Sequence, residues 1–123
     1  MAQHVLLIED EPNIAEAISF ILGRDGWTVT ALTDGLGAEA AVRSAPPDLV
    51  ILDLMLPGRS GLDILAALRS DPETAGLPVM MLTAKGQGRD REAAERAGVD
   101  LFMAKPFSNA DMLASVRALA GRE

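Results

Sequence analysis

Four short apolar runs, at residues 4–8, 49–52, 79–82 and 101–104, and a fifth mixed run at 27–31 punctuate the chain. Each is too short for a helix and reads as a strand. Between them the apolar positions change period. Pro12 stands where a helix begins, and Ile14, Ile18, Ile21 and Leu22 then repeat at helical spacing until Gly23 and Gly26. Asp34 can cap a second helix through Val42, which Pro46 and Pro47 stop before the third strand. A third helix is predicted over 62–68 and a fourth over 89–97, ending at Gly98. A fifth is capped by Ser108 or Asn109 and runs through Met112, Val116 and Leu119. This βαβα rhythm predicts an α/β fold with a parallel sheet and helices on both faces. Strands so nearly apolar throughout are expected to be buried on both sides.

The length of 123 residues suits one compact domain spanning 1–123, and the absence of cysteine means it is held without disulfides. No repeat, low-complexity tract or linker suggests a boundary. No stretch approaches the roughly 18 consecutive apolar residues of a spanning helix. The residues before the first strand carry no basic region of a secretory signal, so the expected location is cytoplasmic, away from the membrane. A net charge of −7 argues against direct nucleic-acid contact, which needs a basic face.

The chemistry sits where the strands end. Glu9 and Asp10 follow the first strand, Asp53 the third, Thr83 the fourth and Lys105 the fifth. In an open parallel sheet these carboxyl ends converge on one crevice. Each group has an ordinary alternative. An acidic run such as Glu9–Glu11 is commonly a solvated helix start, a strand-end threonine bonds its own turn, and a lysine before proline is usually a solvated turn residue. Asp53 is harder to dismiss. Closing a buried strand, it needs a cation to remain charged. Acids grouped at one point make a hard oxygen site suited to Mg2+. Opposite a carboxylate bearing phosphate, Lys105 would hold one phosphate oxygen and the Thr83 hydroxyl another, which fits phosphoryl transfer.

On these residues the chain resembles, over essentially its full length, a receiver domain of the two-component response regulator family. The runs 6–11, 52–58, 82–85 and 105–107 carry the likeness. The resemblance implies a flavodoxin-like (βα)5 fold with a five-stranded parallel sheet in order 2-1-3-4-5. It implies that Asp53 is the phosphoacceptor, taking phosphate from a histidine kinase or histidine phosphotransfer protein, and that small acyl phosphates serve as well. Mg2+ would be held by Asp10, Asp53, Glu9 acting mainly through water, and the backbone carbonyl of Met55. Thr83 and Phe102 would form the switch that alters the face made by the fourth helix, fifth strand and fifth helix. A cis bond is expected at Lys105–Pro106. Met55 and Lys85 would set the phosphate lifetime, which Met55 should lengthen.

The same resemblance implies a switch and not an enzyme in the ordinary sense, read out by a downstream effector protein or output domain. The unphosphorylated protein is expected to be a monomer. In a phosphorylation-dependent dimer Arg117 could pair with Asp100 across two chains, but such an exposed ion pair is worth little, and Leu101 stands where a second acid is common. The rival readings are weaker. A haloacid-dehalogenase phosphatase needs a general acid where Met55 stands, and a flavodoxin would have its flavin phosphate repelled by Asp53 and the acid pair. A phosphorylation-independent binding module of the same fold would be marked by lost site residues, and none is missing here.

Overall fold

In the computed structural model, which describes residues 3–84 and 88–120, the apolar runs pair side by side. The elements alternate: β1 (His4–Ile8), α1 (Pro12–Arg24), β2 (Thr28–Leu32), α2 (Ala38–Ser44), β3 (Leu49–Asp53), α3 (Gly61–Ser70), β4 (Val79–Ala84), α4 (Gly88–Ala97), β5 (Leu101–Lys105) and α5 (Asn109–Leu119). All pairings are parallel and the sheet runs β2-β1-β3-β4-β5, the flavodoxin-like order expected.

Alternation along each strand sends side chains to two helix layers. Val5, Leu7, Leu49, Ile51, Met80 and Leu82 meet Ile18 and Leu22 of α1 and Met112 and Val116 of α5. Leu6, Ile8, Val50, Leu52, Val79 and Met81 meet Val42 of α2, Ile64, Leu65 and Leu68 of α3 and Ala94 of α4. β3 is buried along its whole length. Burial of every strand on both sides does not hold: β2 is half exposed, because it lies at the sheet's edge, and β5 at the other edge is only partly covered. No helix among the described residues is long and apolar enough to cross a membrane.

Serine side chains cap two of the helices. Ser60 caps α3 by accepting the Asp63 amide at 3.2 Å, and Ser108, not Asn109, caps α5 by accepting the Asp111 amide at 3.0 Å. Asp34 does not cap α2. Its Oδ1 accepts the Leu36 amide at 2.9 Å, closing a tight turn that competes with helix, and α2 starts only at Ala38. α1 continues through Gly23 to Arg24, and the chain turns at Gly26 with φ 94°. β2 starts one residue later than predicted. Trp27 lies outside it, buried at the amino-terminal end of the sheet with its indole donating to Asp25 at 3.0 Å.

Candidate functional site

The carboxyl ends of β1, β3 and β5 bring the charged groups together. Asp53 ends β3 and Lys105 ends β5, on the strand parity that faces α1 and α5, and Glu9 continues that parity past β1. Glu9 and Asp53 are buried, at 1% and 4% exposure, and Asp10 is partly exposed beside them. Ligand-capable oxygens of Glu9, Asp10 and Asp53 lie within 4.8 Å of one another. Lys105 Nζ stands 3.0 Å from Glu9 Oε1, 3.2 Å from Asp53 Oδ2 and 3.5 Å from Glu11 Oε1. The Lys105–Pro106 bond is cis, as expected.

One lysine faces more negative charge than it can balance. Burial, with Asp53 adding to the rise, pushes the Glu9 carboxyl up to about 7 against the opposing pull of the Glu11 amide and the Lys105 amine. Burial works to lower the Lys105 amine, but Glu9 and Asp53 prevail and hold it above its ordinary value. Glu9 Oε1 is buried close to that amine at an angle that makes an ion pair but no hydrogen bond. An acceptor so placed, with two further carboxylates in reach, fits a hard divalent cation held by oxygen ligands. Asp53 Oδ1 is kept in place by the Met55 amide, at 3.2 Å.

Thr83 is buried in β4, two residues from Met81, which pairs with Phe102 in the β4–β5 ladder. The register therefore sets Thr83 and Phe102 on one face of the sheet. Phe102 is partly buried against the α3–α4 layer, with the Arg91 guanidinium 5.8 Å from its ring centroid. Lys85, expected beside the site, lies outside the described residues.

Several participants were not read from the sequence. Glu11 reaches Lys105; the third acid of the run was the available signal. A cleft of about 510 Å³ lined by Ile14, Ala17, Pro106 and Phe107 adjoins Lys105. A larger one, about 900 Å³, lies at the amino-terminal ends of β3 and β4 among Pro46, Pro47, Pro72 and Pro78, at the other end of the sheet from the charged cluster. Arg117 and Asp100, expected to be available to each other across a dimer, each have a partner within the chain. Arg117 bonds Asp25 of its own chain, through Nε at 3.0 Å, while Asp100 accepts from Arg69 at 2.9 Å and from the Val79 amide at 2.8 Å. Both partners are spent within one chain because α5 packs beside α1 and the turn before β5 packs beside α3.

Comparison with known proteins agrees with this geometry. Residues 5–117 match the model of the response regulator receiver domain. The "Probable transcriptional regulatory protein TcrX" of Mycobacterium tuberculosis is 48% identical over 118 residues, covering 96% of this chain and 50% of that protein. The "DNA-binding response regulator MtrA" of Mycolicibacterium smegmatis is 41% identical with the same coverage. The chain thus spans about half the length of the curated relatives it matches. Among solved structures, the signal receiver domain of a signal transduction histidine kinase from Syntrophus aciditrophicus superposes with a TM-score of 0.91 at 28% identity, covering 98% of this chain and 91% of that one.

Proposed function

Because the chain belongs to the response regulator receiver family, and so is a signalling domain of two-component systems, we propose that Asp53 is its phosphoacceptor. The observation that carries this is a buried carboxylate at a strand end, with an ammonium 3.2 Å from one oxygen and two more carboxylates alongside. A carboxylate oxygen of Asp53 attacks the phosphorus of a phosphohistidine. The phosphorus–nitrogen bond breaks as the new oxygen–phosphorus bond forms, and the electron pair returns to the imidazole.

Such in-line transfer asks little of the protein beyond position and charge. Lys105 moves from carboxylate partners to a phosphate oxygen with a small swing, and the Thr83 hydroxyl takes another. Asp10, Asp53 and the Met55 carbonyl, with Glu9 behind them, would hold Mg2+, which would supply charge neutralisation. The buried carboxylates orient the amine and keep it protonated. Met55, 64% exposed, offers no hydrogen bond to an attacking water, so the phosphate is expected to be long-lived.

The donor is a histidine kinase or histidine phosphotransfer protein, and the readout is a downstream effector protein or output domain engaged through α4, β5 and α5. The chain's net charge of −7 leaves nucleic-acid contact to such a partner. It works as a cytoplasmic monomer until phosphorylated, and an Arg117–Asp100 pair in any dimer formed afterwards would have to replace the intrachain partners Asp25 and Arg69. Incubation with Mg2+ and acetyl phosphate followed by intact-mass measurement tests the assignment. Wild type gains one phosphate and Asp53→Asn none; equal labelling of the two would remove Asp53 from the role.

A further inference from the structure

The loop that follows Asp53 is held from outside the site. Residues 54–60 leave β3, and the Gly61 amide returns to the Leu54 carbonyl at 2.9 Å, which closes the loop's base. Its far side rests on the segment before α2 and on α2 itself. Gly35 is pressed so close that a Cβ there would lie 3.1 Å from the Arg59 carbonyl oxygen. Gly58, at φ 78°, sits under Leu36, whose Cγ would be 3.1 Å from an added Cβ. Across this seam Arg59 Nη1 forms an ion pair with Glu39 Oε1, both side chains about three-quarters buried. The Arg59 hydrogen bond holds the Glu39 carboxyl below the usual range. Neither residue touches the charged cluster, and nothing in the transfer chemistry uses them.

We propose that Arg59 and Glu39 are positioning residues for the divalent-cation site: their ion pair braces the β3–α3 loop against α2 and thereby keeps the Met55 peptide in register with Asp53. The Met55 amide already fixes Asp53 Oδ1, and the carbonyl of the same residue belongs to the proposed ligand set. A loop free to drift would displace both together. The inference rests on the cation reading of Glu9, Asp10 and Asp53, so the test must separate the brace from the site.

Calorimetric titration with Mg2+ of wild type, Arg59→Ala, Glu39→Ala, the double variant and the charge-reversed pair Glu39→Arg with Arg59→Glu does so. Plain electrostatics moves the single variants in opposite directions, since removing a cation near acids favours Mg2+ and removing an anion disfavours it. The brace moves both the same way. Each single variant is expected to bind Mg2+ about three- to tenfold more weakly, within the range for residues that orient metal ligands from behind. The double variant should be no worse than either single, and the reversed pair should recover most of the loss. Should an alanine variant fail to fold, Arg59→Gln and Glu39→Gln are read in the same way. Unchanged affinity, opposite shifts in the singles, or a reversed pair as weak as the double variant would overturn the brace while leaving the site intact. A wild type that takes up no Mg2+ overturns both.

Discussion

At the residue scale, the site depends on a glycine that carries no chemistry. A Cβ on Gly61 would meet the Asp53 carbonyl oxygen at 2.4 Å and the Leu54 Cα at 3.0 Å. Both are backbone atoms that cannot turn aside. Gly61→Ala must therefore push α3 away from the end of β3, and overpacking of this kind costs about 1–3 kcal/mol. Its φ is not positive, so crowding alone is responsible. Gly23 is the counterpart: it lies in α1 with nothing within 4 Å of an added Cβ, and Gly23→Ala should stabilise by about 0.5–1 kcal/mol. Urea unfolding of the two variants separates the cases. A Gly61→Ala protein as stable as wild type would mean that the strand end yields freely.

At the element scale, the turn between α4 and β5 is fastened to α3 and β4 by one arginine and one aspartate. Arg69 donates to the Gly98 carbonyl at 2.9 Å, to those of Ala75 and Leu77 at 3.1 and 2.7 Å, and to Asp100. Asp100 in turn accepts the amide of Val79, the first residue of β4. The ion pair is too exposed on the Asp100 side to contribute much, but the same carboxylate is the acceptor of the Val79 amide at 2.8 Å. Asp100→Ala is expected to destabilise by about 1–2 kcal/mol through that amide, while Asp100→Asn, which keeps an acceptor, should lose less than half as much. Thermal unfolding distinguishes them; equal losses would return the effect to the charge pair. The neighbouring α4 shows why this fastening matters. From Arg91 onward it buries Ala94 fully and Ala93 and Ala97 in part, so little apolar area holds it down.

For the molecule as a whole, the buried acids make stability depend on pH in an unusual direction. Glu9 has a folded value of about 7 against 4.5 when free, so between these values the native state binds more protons than the unfolded chain. Stability accordingly falls as pH rises from about 4.5 to 7, by as much as ~3 kcal/mol from this group. Glu39 and Asp71, both held low, act oppositely, but their contribution is lost only as pH drops below the ordinary carboxylate range. The two windows do not overlap. Melting temperature should therefore decline from pH 5 to pH 8 in wild type and stay flatter in Glu9→Gln, and Mg2+ should restore more stability at pH 8 than at pH 5. Parallel curves for the two proteins would show that Glu9 does not titrate in this window.

Local pattern was enough to read the five strands, the five helices and the strand-end placement of Glu9, Asp10, Asp53, Thr83 and Lys105. Periods of 2 and 3.6 are properties of a few consecutive residues, and parallel strands necessarily gather their carboxyl ends. Strand order was not in those periods and came with the family likeness. Partner choice was not there either. Lys105 meets Asp53 across 52 positions, Arg69 meets Asp100 across 31, and Arg117 meets Asp25 across 92, each distance closed by the docking of whole elements. The same docking decides that Gly61 has no room for a methyl group, that Asp34 closes a turn instead of capping α2, and that β2 stands half exposed at an edge. Such outcomes depend on which surfaces are left when the layers close, and a sequence read residue by residue contains the surfaces but not their pairing.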